Sequence, residues 1–357
     1  MTGGTQQTLP TAGSDQPVGR RRTLGLLAAG IGCGTATGFA FAAEAEDWIW
    51  LGNRDLKVGL LRSSGGAIGW LSAAGASRSL VNSFDRGRLV QQSWYGREDG
   101  SNWNGRPWRW NPVQGGDWKG RSATILKQSV TESTATIETQ PVHWAAGSDI
   151  TDALMTQQIS LQGPLVRIDY RFQYRGEVEH PACHQELPAV FTDPEYSQLA
   201  VCTSDRPWTG APLHYRTPGW PNEYVPMTEH WAALLNRDGQ GLGCCVPRAS
   251  QLTCYRAGQG SAKDGACSYF APIDTIAVTA GFDMQWTVWL TLGDVTQIRQ
   301  RFAALQPSPG RRTGRFCRNL RTSSISRSLR SLRNAIFPAI CRPNFHSNLF
   351  CHCLRQI

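Results

Sequence analysis

Two side chains able to exchange protons stand two residues apart in HPACHQELP, residues 180 to 188: His184 and Glu186. Alternate residues of an extended strand share a face, so the spacing predicts that both reach one ligand. An imidazole beside a carboxylate suits general acid and base catalysis. With His180 nearby, the same groups can instead ligate a divalent metal, and a satisfied hydrogen-bonded pair at a sheet edge is an equal alternative. Pro188 is expected to end the strand. A further carboxylate, Glu229, opens EHWAALL, where Trp231 and Ala233 continue its face. Glu186, Glu229 and His184 are therefore the catalytic candidates. Two carboxylates flanking a bond support glycoside hydrolysis, and here Glu186 would pair with Glu229 or Asp85. A polysaccharide lyase would use His184 or Tyr95 as base and Arg88 to neutralise a uronate.

Groups suited to holding a ligand lie about a hundred residues earlier, in DRGRLVQQSWYGREDGSNWNGRPWRWNPVQGGDWKG, residues 85 to 120. Trp94, Trp103, Trp108, Trp110 and Trp118 alternate there with Asp, Asn, Gln, Arg and Gly. Flat aromatic faces stack on the apolar side of a sugar ring, while planar amides, carboxylates and guanidinium groups take its hydroxyls. Tyr95, Trp108 and Trp110 are candidates for stacking. Asp85, Arg88, Gln91, Asn111, Gln114 and Asp117 are candidates for hydrogen bonding. About half of the tryptophans are expected to be core instead. The mixture fits neither an amphipathic helix nor a half-buried strand and reads as a binding-loop system on a rigid scaffold.

The elements that must carry these groups have a period of two. LKVGLLRS (56 to 63) and AIGWLSA (67 to 73) flank Ser64-Gly65-Gly66 and read as a hairpin. Residues 122 to 144 read as two or three strands, and 155 to 176 as a hairpin turning at Gln162-Gly163-Pro164. In its second arm Val166, Ile168, Tyr170 and Phe172 fall on one face, with Arg167, Asp169 and Arg171 on the other. Residues 230 to 247, 251 to 257 and 275 to 293 supply further strands. A helix is predicted after Asp294, which can cap it, with Val295, Ile298, Phe302 and Leu305 on one face. The expected fold is all-β: a large antiparallel, supersandwich-like β-sandwich over residues 43–310 with one C-terminal helix. No repeat of fixed period suggests a propeller.

The two ends differ from this body. Arg20-Arg21-Arg22 precede an apolar run and A-x-A sites, which predicts a cleaved twin-arginine signal peptide over residues 1–42 and a periplasmic or extracellular destination. After cleavage no stable membrane span is expected. Residues 311–357 hold ten arginines and no acidic residue. This tail reads as a disordered appendage or an out-of-frame translation rather than as a basic helix on a membrane. Of the formal charge of +9, the tail carries +10 and the first 42 residues +2, which leaves −3 for the body. The basic balance thus belongs to the ends and gives no argument for a nucleic-acid partner. Six body cysteines, an even number in an exported chain, predict disulfides. No C-x-x-C, nucleophile elbow, P-loop, Rossmann fingerprint or H-E-x-x-H occurs in the body.

The succession GGAIGWL, LVNSFDRGRLVQQSWY, WNPVQGGDWKG, HQELPAVFT and EHWAALLNRDGQGLG resembles a group of secreted bacterial proteins of mostly uncharacterised function. Its opening, an apolar GG-x-I strand followed by a D-x-G-R turn, is similar to galactose-mutarotase-like β-supersandwich domains of carbohydrate-active enzymes. The paired histidine motif of the aldose epimerases is absent, so their catalytic assignment does not carry over. The resulting expectation is an exported carbohydrate-active protein, glycoside-hydrolase-like or otherwise glycan-processing, that uses carboxylate chemistry. A non-catalytic glycan-binding or cell-envelope protein and a polysaccharide lyase are the alternatives. The expected partner is a carbohydrate, with no cofactor unless a divalent ion sits near His184 and Glu186.

Overall fold

The computed structural model describes residues 47–306. The signal peptide expected in residues 1–42 and the tail 311–357 lie outside the described residues. In chain order the strands are β1 (Trp48–Gly52), β2 (Leu56–Leu61), β3 (Ala67–Ala73), β4 (Val90–Ser93), β5 (Glu98–Trp103), β6 (Arg106–Arg109) and β7 (Pro112–Val113). Then come β8 (Thr124–Val130), β9 (Thr134–Gln140), β10 (Val142–His143), β11 (Ala153–Gln162), β12 (Leu165–Tyr174), β13 (His180–Thr192) and β14 (Gln198–Val201). The last are β15 (His214–Arg216), β16 (Glu223–Pro226), β17 (Trp231–Leu235), β18 (Gln240–Cys245), β19 (Gln251–Ala257), β20 (Cys267–Val278) and β21 (Asp283–Asp294), followed by helix α1 (Val295–Ala303).

Two antiparallel sheets hold almost all of these strands. The first runs β1-β2-β3-β4-β13-β20-β19-β16, with β7 joined to β4 and β10 to β7. The second runs β15-β14-β17-β18-β21-β12-β11-β9-β8. Strand β12 shows why they pack. Its Val166, Ile168, Tyr170 and Phe172 are buried while Arg167, Asp169 and Arg171 point away, as the alternation predicts. These join Val58, Leu60, Ile68, Val90 and Val190 of the first sheet in one core. Each such side chain, fully buried, contributes about 1.5–3 kcal/mol.

The outer faces differ. Helix α1 lies on that of the second sheet, where Ile298 and Phe302 pack on Ala200, Trp231, Ala233, Leu235 and Cys245. Its start is set by Asp294, whose carboxylate accepts from the Gln297 N–H at 2.9 Å while the Gln297 side chain returns the bond. On the outer face of the first sheet, Ala189, Phe191, Tyr269, Ala271 and Ile273 form a separate apolar patch. The candidate site lies there.

Three expectations are corrected. The Trp-rich stretch is not all loop: it supplies β4 and β7 to the first sheet and folds β5 and β6 into a hairpin of their own. The hairpin turns at Asn104-Gly105, both at positive φ (49° and 81°), the conformation that Asn-Gly favours in a two-residue turn. Pro188 does not end β13. It sits in a bulge between Glu186 and Val190, where a ladder N–H is not needed, and the strand continues to Thr192. The six body cysteines are all buried, and Cys202, Cys244, Cys245, Cys254 and Cys267 are free thiols. Cys244 and Cys245 even point to opposite faces of their strand, one into each apolar cluster. No helix among the described residues is long and apolar enough to cross a membrane.

Candidate active site

Strand β13 carries Glu186 to the outer face of the first sheet, opposite Ser93 of β4 on one side and Ile273 of β20 on the other. Its carboxyl oxygen Oε1 accepts from the Tyr95 hydroxyl at 3.1 Å and also from the hydroxyl of Tyr269. Tyr269 and Tyr255 face each other across the β19–β20 ladder, with ring centroids 4.4 Å apart, and Phe191 packs 4.6 Å from Tyr269. Above this floor the β5–β6 hairpin contributes a wall. Trp103 and Trp108 meet edge to face at 5.0 Å, and Trp144 stands 6.4 Å from Trp103. The pocket so formed has a volume of about 110 Å³, and Gly87, Ser93, Asn111, Val113 and Asn222 complete its lining.

The wall is fixed by hydrogen bonds. Asn111 accepts from the Trp108 indole N–H at 3.2 Å and donates to the Trp94 carbonyl at 2.7 Å. At the base of the hairpin the Gly96 N–H donates to the Trp110 carbonyl and the Trp110 N–H to the Arg97 carbonyl. His143 ties it from the side. Its Nδ1 accepts from the N–H groups of Ala145 and Ala146, which leaves Nε2–H to donate to Asp99 of β5 at 2.7 Å.

Electrostatics single out one group. Burial pushes the Glu186 carboxyl above the usual carboxylate range, and the donors from Tyr269, Ser93 and Tyr95 only partly oppose it. Burial, and then the Glu186 charge, raises the Tyr95 and Tyr269 phenols well above their ordinary value, so both remain donors at neutral pH. A carboxyl held this way is suited to exchanging a proton with a bound ligand.

Of the residues expected at the site, Tyr95, Trp108, Asn111 and Glu186 converge on this pocket. His184 shares the outer face but packs on Tyr224, at 5.2 Å between rings, and is not part of the lining; burial lowers its pKa. Asp85 holds the loop before β4, accepting from the Gly87 and Arg88 N–H groups, and its other oxygen pairs with Arg88 at 3.3 Å. Gln91 is wholly buried and staples loops, donating to the Arg86 carbonyl and accepting from the Gly115 N–H. Gln114 accepts from the Gln92 N–H inside the core, and Asp117 caps its own turn through Lys119 and Arg121. Trp110 is buried and stacked on His180 at 3.9 Å, away from the pocket. Burial and the nearby Arg97 charge push His180 down to about 4, so it is neutral.

Glu229 is not brought to Glu186. It is completely buried, held by Arg299 of α1 at 2.5 Å and by the N–H groups of Trp231 and Trp208. Glu229 and Trp231 do share a face, but it is the helix-covered outer face of the second sheet, with the whole sandwich between it and Glu186. Burial pushes its pKa up, and the Arg299, Trp231 and Trp208 donors outweigh that, so the carboxyl stays below its ordinary range. His180, His184 and Glu186 do not converge as ligands either, and no group of three or more His, Cys, Asp or Glu does so among the described residues. Sequence reasoning missed Ser93, Trp144, Asn222, Tyr255 and Tyr269. The signal for the tyrosines was available, since the period of two in QLTCYRA and CSYFAP sets Tyr255 and Tyr269 opposite the core-facing Cys254 and Phe270.

Neither a protein-family model nor a curated relative matches this sequence. Solved structures show a distant similarity. A galactose mutarotase-like protein from Lactobacillus casei superposes with a TM-score of 0.47 at 12% identity, covering 69% of this chain and 100% of that one. A galactose mutarotase related enzyme from Lactobacillus acidophilus gives 0.43 at 10% identity, over 69% of this chain and 97% of the other. A GH36 alpha-galactosidase from Geobacillus stearothermophilus gives 0.42 at 11% identity, over 69% of this chain and 40% of its own.

Proposed function

We propose that the pocket on the outer face of the first sheet binds a sugar ring and that Glu186 is its acid–base group in a glycan-processing reaction. The observation that carries this is one carboxyl of raised pKa, held by Tyr95 and Tyr269, at the floor of a pocket walled by Trp103, Trp108 and Trp144. The indole faces supply stacking surface, and the carboxyl supplies proton transfer. Among the described residues Glu186 is the only carboxyl lining this pocket. The reading therefore calls for chemistry with a single acid–base residue and not for a carboxylate pair with Glu229. Arg88 is engaged by Asp85 and Asn82, and no lysine or arginine among the described residues lines the pocket, so the site offers no partner for a uronate.

Incubation of the full chain with a panel of mono- and oligosaccharides, read by chromatography and by NMR of the anomeric protons, tests the proposal. Glu186→Gln should abolish turnover while leaving the fold intact. Turnover that survives Glu186→Gln would refute the assignment. A panel that binds without any turnover would favour a non-catalytic glycan-binding protein, the second reading that the same aromatic wall supports.

A further inference from the structure

We infer that the sugar bound in this pocket carries a protonated amine, held by Glu186 and by the aromatic rings around it. The inference rests on the reading of the pocket as a sugar site and narrows its substrate class to amino sugars. Six aromatic side chains line the pocket, Tyr95, Trp103, Trp108, Trp144, Phe191 and Tyr255, and the one charged group among the lining is Glu186. The faces of aromatic rings are negative and attract cations, indole most strongly. A carboxyl inside an aromatic enclosure is thus matched to an ammonium group. Arg88 and Arg109 lie outside the lining, where Arg88 acts on Tyr255 and Arg109 on Tyr224.

The hydrogen-bonding inventory points the same way. Three donors around Glu186 are committed to the protein itself. Tyr95 and Tyr269 donate to Glu186, and Asn111 donates to Ser93 and to the Trp94 carbonyl. Acceptors remain. Asn222 uses its Nδ2 on the Thr253 hydroxyl at 3.0 Å, whereas its Oδ1 is buried without a partner. An unpaired buried acceptor costs stability until a donor arrives. An ammonium offers three donors and no acceptor, which matches the two acceptors of the lining, Glu186 and the Asn222 Oδ1. An arriving ammonium also opposes the desolvation of Glu186 and favours its charged form.

Isothermal titration of the full chain at about pH 6 with D-glucosamine, N-acetyl-D-glucosamine, D-glucose and choline is the test. Glucosamine should bind at least about tenfold more tightly than either neutral sugar. Glu186→Gln should bring the three sugars within about threefold of one another. Because the comparison among ligands is made on the unaltered protein, a poorly folding variant does not obscure it. Glucose or N-acetylglucosamine binding as tightly as glucosamine would overturn the inference and leave the sugar site standing. Choline binding with no sugar bound would overturn the amino-sugar assignment and the proposed function together.

Discussion

Glu229→Gln separates a structural carboxylate from a catalytic one. Glu229 is fully buried and Arg299 is 21% exposed, with donors from Arg299, Trp231 and Trp208 converging on one carboxylate. Removing one partner of a buried ion pair costs about 3–5 kcal/mol, and the partial exposure of Arg299 places this case near the lower end, about 3 kcal/mol. For a domain of this size each kcal/mol lowers Tm by about 2–4 °C, so the variant should melt about 6–12 °C below the parent at pH 7. The pH dependence has a definite sign. Glu229 sits below its ordinary pKa when folded, so its contribution is complete above the unfolded value of about 4.3 and is lost as pH falls through the folded value. Circular dichroism melts of both proteins should therefore converge in acid. Ligand binding and any turnover should be unchanged at temperatures where the variant is folded. An unaltered Tm together with lost turnover would refute this reasoning and return Glu229 to the catalytic candidates.

Glu186→Gln should act in the opposite sense on stability. Burial raises the folded pKa of Glu186, so the parent loses stability as pH rises from about 4.3 through that value, and the variant should gain Tm relative to it at pH 7 but not at pH 4. A variant less stable at pH 7 would contradict the assigned direction. His143→Ala removes the bond to Asp99 and leaves two backbone N–H groups without their acceptor. The expected cost is about 2–3 kcal/mol, together with roughly fivefold weaker ligand binding through a displaced Trp103 wall, measured by denaturant titration and calorimetry. Equal binding in this variant would show that the dyad does not position the wall. The buried free thiols of Cys202, Cys244, Cys245, Cys254 and Cys267 predict that dithiothreitol leaves Tm unchanged and that a thiol reagent labels them only after unfolding. A Tm that falls on reduction would restore the disulfide expectation.

The sequence disclosed the sandwich through its alternation. Val166 to Phe172 and the Asp294 cap are local signals, and the ladders and α1 formed where they indicate. It disclosed half of the site for the same reason, since a period of two places Glu186 and His184 on one face of β13. What no local pattern reveals is which outer face a strand presents. Glu229 with Trp231 and Glu186 with His184 look alike as i, i+2 pairs, and only the docking of α1 on β17 and β18 makes one a buried ion pair and the other a pocket floor. The polar residues of the Trp-rich stretch misled in a similar way. Gln91, Gln114 and Asp117 are suited to sugar hydroxyls and equally to orphaned backbone groups in a crossing of loops, and here the backbone takes them.

The β5–β6 hairpin shares no ladder with either large sheet, although it supplies Trp103 and Trp108 to the pocket. Floor and wall of the site therefore answer to different constraints. Changing Glu186, Tyr255 or Tyr269 means changing strands whose register is locked into the sandwich, whereas the hairpin can be lengthened, shortened or exchanged with no strand of the sandwich losing a partner. The wall is thus separable from the scaffold: a graft at the Asn104-Gly105 turn reshapes the Trp103 and Trp108 side of the pocket while Glu186 stays where it is.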